Sequence, residues 1–209
     1  MKTIEQHWQS CIHSFTNDES LSNQLFEEIQ KKYSQKSRAY HNLTHLKTML
    51  DLSDDFEARL EDTALLRFSI FYHDLIYNSM RKDNELKSAE RAKEVLEMLD
   101  CDPSRTNRCY HQILLTKVHQ STSIDKIDEK LLLDFDLEIL SRDWKQYEIY
   151  TQQIRKEYWM YPKPLYRKGR RDAMKHFLER EYIYQTEAFR DTKEELARAN
   201  ILKEIDSLS

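Results

Sequence analysis

Apolar side chains recur at helical spacing through most of the 209-residue chain. They stand three or four positions apart from Ile4 to Phe15 and, after a polar break at 17–20, again from Leu21 to Tyr33. Because an α-helix brings positions i, i+3 and i+4 to one face, each stretch predicts an amphipathic helix. The polar break predicts a turn, so the two helices are expected to form a hairpin.

The same spacing predicts further helices along the rest of the chain. Their approximate bounds are 41–51, 57–72, 83–99, 103–116, 128–140, 144–158, 171–181 and 186–205. Asp83 and Asp102 are predicted N-caps, and Pro103 follows the second in the first turn, where proline is tolerated. The stretch 128–140 is apolar nearly all round, which predicts a central place in the core. A break with two prolines at 161–164 ends the preceding helix.

Composition narrows the fold class. The chain has one glycine and three prolines, although hairpins and tight turns between strands and helices consume both residues. Good helix formers dominate instead. The predicted class is therefore all-α. The length suits one substantial domain, so we expect a single compact helical domain with its core at about 38–160 and with N- and C-terminal helices packed onto it.

Charge and targeting signals limit the partners. Lysine and arginine number 33, aspartate and glutamate 37, and the net charge is −4. Such a balance gives no field that attracts a nucleic acid polymer, whereas local charge still allows a small phosphorylated substrate. No stretch resembles a signal sequence or reaches the roughly 18 apolar residues of a membrane span. Three cysteines without Cys-x-x-Cys spacing suit reduced thiols. We expect a cytoplasmic protein with no membrane partner and leave its oligomeric state open.

Candidate chemistry begins with His73 and Asp74, which stand side by side at the end of an apolar run. Neighbours on a helix point to different faces, so the pair can address one centre only if the helix ends or distorts there. His41 and His45 are four apart, a spacing that shares a helix face. Asp136 lies in an apolar stretch, where an unpaired carboxylate costs free energy. Imidazole and carboxylate together suit divalent Mn, Fe, Co, Ni or Zn.

Three sequence pieces carry a family resemblance. They are Tyr40-His41-Asn42-x-x-His45, His73-Asp74 and Asp136-Leu137. In this order and spacing they resemble the HD superfamily of metal-dependent phosphohydrolases, whose signature is a His, a His-Asp pair and a distant Asp on an all-α fold. The resemblance covers about 38–158, and Asp83-Asn84-Glu85-x-x-Ser88-Ala89 is similar to a bacterial subgroup of HD phosphohydrolases. It implies a helical domain of the HD and phosphodiesterase type.

The resemblance implies a divalent transition-metal centre with four ligands, namely His45, His73, Asp74 and Asp136. It leaves room for a second ion such as Mg. The ion activates water for in-line attack on phosphorus, and a general acid protonates the departing oxygen. His41 and Asp74 are the implied catalytic residues, and Asp134 is an alternative to Asp136. We therefore expect the helices that carry His45 and Asp136 to meet at the end of the 57–72 helix.

The role of His41 has two interpretations. The Tyr-His-Asn-x-x-His pattern is similar to that of cyclic-nucleotide phosphodiesterases, in which the second histidine binds metal and the first, here His41, is the general acid. The Arg-x-x-His opening at Arg38 instead resembles other HD proteins and would make His41 a ligand. The first matches more residues and is favoured. Asn78 stands where the phosphodiesterase branch has a further histidine, so cyclic-nucleotide specificity is not carried over.

Four residues are weaker candidates for contact with substrate, namely Glu85, His119, Arg155 and Tyr40. Glu85 could equally stabilise the first turn of its helix through hydrogen bonds. His119 could simply lie at the end of a helix, exposed to solvent. Arg155 could clamp a phosphate, although an ion pair is its commoner role. The ring of Tyr40 could stack on a base. The basic residues of 163–171 could attract an anion but are expected mainly to face solvent.

These residues support more than one functional hypothesis. The leading one is a phosphohydrolase that cleaves a small, nucleotide-like phosphomonoester or phosphodiester. The alternative is a regulatory module that binds a metal and a nucleotide without turnover. A third is a helical interaction protein with a vestigial site. Each residue also has an ordinary explanation, such as a surface histidine pair, a histidine that compensates a helix dipole or a helix cap.

Overall fold

All regular elements are helical in the computed structural model, which describes residues 2–121 and 126–208. The α-helices are α1 (Ile4–Ile12), α2 (Glu19–Tyr33), α3 (Leu43–Asp55), α4 (Thr63–Tyr72), α5 (Asn84–Met98), α6 (Pro103–Leu115), α7 (Ile127–Asp136), α8 (Trp144–Glu157), α9 (Lys163–Leu178) and α10 (Glu187–Ser207). Short 3-10 helices span Glu57–Arg59 and Glu138–Ser141. The all-α prediction is confirmed.

Local side chains explain several helix starts. The Thr3 hydroxyl accepts the N–H of Gln6, and the Gln6 side chain accepts the N–H of Thr3, which completes a capping box for α1. Asp102 caps α6 by accepting the N–H groups of Ser104 and Arg105, as predicted. Asp83 occupies the N-cap position of α5, as predicted, but its carboxylate pairs with the Arg81 guanidinium at 2.6 and 2.7 Å and makes no capping hydrogen bond.

The predicted helix 57–72 is interrupted. Its first part is the 3-10 helix, and α4 begins only at Thr63, where the Asp62 carboxylate accepts the N–H of Leu65 at 3.1 Å. The carboxylate of Asp128, far along the chain, accepts the N–H groups of Glu61 and Asp62, both at 2.9 Å. Those N–H groups would otherwise bond within a continuous helix. The hydrogen bonds from Glu61 and Asp62 to the distant Asp128 therefore end the 3-10 turn, and α4 starts after them.

Two other boundaries differ from the predictions. The helix predicted over 128–140 divides into α7, which ends at Asp136, and the second 3-10 helix. Helix α9 begins at Lys163 rather than at about 171, because Pro164 falls in its first turn, where the missing N–H costs no helical hydrogen bond. The basic residues of 163–171 consequently lie on α9.

Helix α4 is the centre of the core. Every residue from Leu65 to Tyr72 is buried, and α4 packs against α1, α3, α5, α6 and α7. The ring of Trp8 from α1 meets that of Phe71 edge to face, with centroids 5.1 Å apart. A helix that is buried on every side must be surrounded by others. The same holds for α7, whose predicted central position is confirmed by its buried leucines. None of the described helices combines the length and apolar content needed to cross a bilayer.

Asp134 ties α7 to the start of α10. Its buried carboxylate accepts the N–H groups of Gln185 and Thr186, at 2.6 and 2.9 Å, and the Thr186 hydroxyl at 2.6 Å. These bonds satisfy donors at the N-terminal end of α10 that have no partner inside the helix. Asp134 is thus committed to a structural contact and leaves Asp136 as the aspartate available at the end of α7.

We predict that Asp134→Asn lowers the free energy of unfolding by about 1–3 kcal/mol, because the amide nitrogen leaves a buried N–H group without an acceptor. Urea unfolding followed by circular dichroism measures this. The matched control is Asp191→Asn on the exposed side of α10, which should change stability by less than about 0.5 kcal/mol. An unchanged midpoint for Asp134→Asn would contradict the structural role.

Candidate metal centre

The His-Asp pair lies where α4 stops. Tyr72 is the last helical residue, and the N–H of Leu75 bonds to the Tyr72 carbonyl at 3.1 Å in a tight turn. The turn brings the Asp74 carboxylate to within 3.3 Å of His73 Nε2. Neighbouring side chains can point to the same centre only where the helix ends or distorts. Helix α4 ends at this position.

Arg38 holds this turn in place. Its buried guanidinium donates to the carbonyl oxygens of Asp74, at 2.6 Å, and Leu75, at 2.8 Å. The group also lies 5.0 Å from the ring centroid of Tyr33 and 5.5 Å from that of Tyr77. Bonds from a charged donor to two successive carbonyls fix the backbone that carries Asp74. Sequence reasoning noted Arg38 only as part of a motif.

Three side chains from three helices converge beside this turn. His45 Nε2 on α3 lies 3.3 Å from His73 Nε2 and 3.2 Å from Asp136 Oδ1 at the end of α7. His73 Nε2 and Asp136 Oδ1 are 3.8 Å apart. Ligand atoms at roughly 2.1 Å from one ion lie roughly 3.0 to 3.4 Å apart in octahedral or tetrahedral sites, a range that includes the 3.3 and 3.2 Å separations but not the longer third one. Among the described residues, these three form the group whose spacing could hold a metal ion.

The donor chemistry also fits a cation. His73 Nδ1 donates to the Ile70 carbonyl at 2.7 Å, so the lone pair of the neutral ring is on Nε2, which faces His45 Nε2. Both imidazoles are buried, with 1% and 5% of their surface exposed. Two buried nitrogens that face each other require a proton or a metal between them. A nitrogen and carboxylate donor set is the one that borderline divalent ions prefer.

The electrostatics of the cluster favour positive charge. Burial lowers the pKa of His73, but the Asp74 and Asp136 carboxylates outweigh this effect and raise the pKa to about 9. Burial alone would raise the pKa of Asp136, whereas hydrogen bonds with His119 and His45 hold it well below its usual value. The pKa of Asp74 is also lowered, because the neighbouring histidines outweigh its desolvation. The lowered pKa values favour the negatively charged form of both carboxylates, which is the form that binds a cation.

His119 contacts the other oxygen of the same aspartate. Its Nε2 lies 2.9 Å from Asp136 Oδ2, so Asp136 stands between His45 and His119. The backbone of His119 has a φ of 49°, a left-handed conformation that is uncommon for a residue other than glycine. The Arg180 guanidinium donates to the His119 carbonyl at 3.0 Å and supports this conformation. The side chain is thereby aimed at the cluster.

His41 lies outside the helix that carries His45. The prediction that both histidines share a helix face is wrong, because the Asn42 side chain accepts the N–H of Thr44 at 2.8 Å and starts α3 after His41. His41 Nδ1 is 2.6 Å from the buried Glu157 carboxylate, which also accepts the N–H groups of Tyr40 and His41. With Nδ1 engaged, Nε2 is the free nitrogen. His41 does not belong to the group of described residues whose ligand atoms converge, which favours a role in proton transfer over metal ligation.

Glu157 is the functional residue that sequence reasoning missed. It occupies a core position of α8, where the buried residues are Tyr147, Tyr150, Ile154 and Glu157. A carboxylate on an otherwise apolar stripe is the signal that could have found it. Burial raises the pKa of Glu157, but its bonds with His41 bring the net shift below the usual value. In turn, Asp74 and Glu157 outweigh the burial of His41 and raise its pKa.

A cleft of about 580 Å³ opens over these groups. His41, Asp74, His119 and Asp136 line one part of it, and Tyr40 and Glu85 also face it, as the sequence suggested. The cleft is in the size range of sites for small organic ligands. His41 and Asp136, one member of the candidate metal cluster, therefore line the same cleft.

Arg155 lies apart from this cleft. Its guanidinium donates to the carbonyls of Tyr158, at 2.6 Å, and Tyr161, at 3.1 Å, and stacks on the ring of Tyr166. The arginine of α9 that lines the cleft is Arg170, which is bound to the Glu204 carboxylate at 2.8 and 3.1 Å. The predicted phosphate clamp is therefore committed to the turn between α8 and α9.

Comparisons of the chain with protein-family profiles, with curated proteins and with solved structures found no significant match in any of the three. The resemblance to HD phosphohydrolases thus stays a prediction from sequence motifs. The independent observation is geometric, namely that His45, His73 and Asp136, from distant parts of the chain, present ligand atoms to one point.

We predict that the purified protein, incubated with Mn²⁺, Co²⁺, Ni²⁺ or Zn²⁺ and then dialysed, retains about one ion per chain. His73→Ala and Asp136→Ala should each weaken binding by at least about 100-fold, since loss of even an outer partner costs roughly 10–100-fold. Elemental analysis and metal titration measure both effects.

His111→Ala is the matched control, because His111 is exposed on α6 and belongs to no ligand cluster in the described residues. This variant should bind metal like the wild type. Equal metal content in all three variants would show that the cluster does not hold the ion.

Proposed function

We propose that the chain is a metal-dependent phosphohydrolase that cleaves a small phosphomonoester or phosphodiester. The observation that carries the proposal is that one cleft is lined by His41, which is paired with Glu157, and by Asp136, which belongs to the His45–His73–Asp136 cluster. Phosphoryl transfer to water needs an activated water, charge stabilisation on phosphorus and a proton for the leaving oxygen. The His45–His73–Asp136 cluster is suited to activate water and to stabilise charge on phosphorus, and the His41–Glu157 pair is suited to supply the proton.

His45, His73 and Asp136 would hold the ion, with Asp74 beside them. A bound divalent ion supplies Lewis acidity, which activates water and offsets negative charge on the phosphoryl oxygens. Arg38 fixes the backbone of Asp74, and the lowered pKa of Asp74 keeps its carboxylate ionised at neutral pH. In the cleft, Asp74 orients the attacking water by accepting its hydrogen bond.

His41 is the proposed general acid. Its raised pKa favours the protonated imidazole, and the bond from Nδ1 to Glu157 leaves the Nε2 proton for transfer. As the bond between phosphorus and the leaving oxygen breaks, that oxygen takes the proton from Nε2. Glu157 stabilises the charged ring before transfer, in the manner of a carboxylate that orients a catalytic histidine.

The cleft suits a small substrate. The two arginines that line it in the described part of the chain, Arg81 and Arg170, are paired with Asp83 and Glu204. Recognition of phosphate therefore depends on the ion and on His41 rather than on an arginine clamp. This arrangement fits a compact ester better than a polyanionic nucleic acid, which needs many basic contacts.

The first test is a screen of phosphate esters with the Mn²⁺-, Co²⁺- or Ni²⁺-loaded protein. We expect hydrolysis of at least one ester, and its loss in His73→Ala and Asp74→Ala. Hydrolysis that survives in both variants would exclude this mechanism. Tight nucleotide binding by calorimetry without product after long incubation would instead support the regulatory module.

The second test concerns the proton donor. His41→Ala should lower kcat by about 10²–10⁴-fold, because a general acid contributes that much, while metal content stays unchanged. Glu157→Gln removes the negative charge that raises the pKa of His41, so His41 should lose its proton at lower pH. The alkaline limb of the pH–kcat profile should therefore move to lower pH in Glu157→Gln.

Glu194→Gln is the control for Glu157→Gln, since Glu194 is also buried but its carboxylate accepts the N–H of Ile183 instead of bonding to His41. It is expected to leave the position of the alkaline limb unchanged, whatever it does to stability. An unshifted limb in Glu157→Gln would refute the proposed role of the pair.

A further inference from the structure

The single glycine of the chain lies inside a helix, where glycine does not contribute to helix stability. Gly169 lies near the middle of α9 (Lys163–Leu178), and glycine is a poor helix former. Its φ is not positive, so the backbone does not demand glycine there. The two described residues that do have left-handed backbone are Asp100 and His119. The chain thus places glycine where it costs stability and omits it where it would relieve strain.

Packing against the protein does not explain Gly169 either. A Cβ atom built at this position meets no other atom within 4 Å, and the residue is exposed. Glycine is normally kept in a helix when a neighbouring backbone or side chain approaches closely, and no described neighbour does so. What Gly169 does face is the cleft, which it helps to line. The space above its backbone is therefore open to a ligand.

The wall around Gly169 differs from the opposite part of the cleft. On α9, Leu165, Tyr166, Met174 and Phe177 line the cleft with Gly169 and with Arg170, whose charge is paired with Glu204, whereas His41, Asp74 and Asp136 belong to the polar part. The polar part suits a phosphate and a cation, and the α9 wall suits an apolar group.

Aromatic rings are concentrated in the cleft. Six of the chain's twelve tyrosines line it, namely Tyr40, Tyr77, Tyr150, Tyr158, Tyr161 and Tyr166. Rings of this kind pack face to face or edge to face with flat ligand groups. A bare backbone next to Tyr166 gives a flat group room to lie against α9.

We propose that Gly169 determines specificity by leaving room for a flat, ring-bearing group of the substrate against α9. The substrate is then an organic phosphate with a bulky aromatic part, rather than an inorganic phosphate or a small aliphatic ester. This inference rests on the proposed function for the position of the phosphate, at the metal cluster. Gly169 itself takes no part in bond breaking.

The test compares two phosphonates that share an anionic head group and have a C–P bond in place of the ester bond. Calorimetry of the metal-loaded protein gives the Kd of 1-naphthylmethylphosphonate and of methylphosphonate. The wild type should bind the naphthyl compound at least roughly tenfold more tightly. Equal affinity for the two, or no binding of either, would overturn the inference.

Variants of Gly169 with larger side chains test how much space beside α9 the ligand needs. One methyl group in a binding pocket changes affinity by roughly 10- to 200-fold, so Gly169→Ala should weaken naphthyl binding by at least roughly tenfold. Gly169→Leu should abolish the preference, and the Kd of methylphosphonate should stay the same in both. Lys168→Ala, a change at the neighbouring exposed residue outside the cleft, should bind both compounds like the wild type.

Stability provides an independent readout. Gly169→Ala should raise Tm by about 2–4 °C, because alanine is the better helix former and meets no steric obstacle. A lower Tm with lower metal content would mark Gly169 as structural and overturn the inference. If no ester is hydrolysed while the naphthyl preference persists and disappears in Gly169→Leu, the proposed function fails and the role of Gly169 stands.

Discussion

The desolvation of His73 at the end of α4 is the constraint on which the rest of the site depends. Helix α4 is surrounded by other helices and buried from Leu65 to Tyr72, and its C-terminal end therefore places an imidazole in the interior. A buried ionisable group needs partners of opposite charge or a ligand. The carboxylates of Asp74 and Asp136 and the facing nitrogen of His45 meet that need, and together they create a place suited to a cation.

This constraint links distant parts of the chain. Asp136 comes from the end of α7, and Glu157 at the end of α8 reaches back to His41, 116 positions away. The wall of the cleft continues along α9 as far as Phe177, beyond the predicted core at 38–160. Glu204 on α10 fixes Arg170 of that wall. The C-terminal helices thus shape the cleft as well as packing against the rest.

Several residues at this site have a backbone conformation or a position that is unusual for their residue type. His119 has a left-handed backbone, and Gly169 interrupts a run of better helix formers. Glu157 places a carboxylate on a buried stripe. Departures of this kind lower stability, and proteins keep them mostly where function depends on them. Asp100 also has a left-handed backbone, but it lies between α5 and α6 and does not line the cleft. The departures at the cleft therefore stand out as functional candidates.

The sequence by itself determined the helical class, most helix positions and the candidate ligands His45, His73, Asp74 and Asp136, because helical periodicity and motif spacing can be read without the tertiary structure. Only the tertiary structure decided that Asp128 interrupts the helix before α4, that Asp134 caps α10 while Asp136 joins the cluster, and that Glu157 binds His41. Each of these outcomes depends on a hydrogen bond between residues at least 51 positions apart. Local patterns cannot specify which distant acceptor reaches a given N–H group, since that depends on how the helices pack.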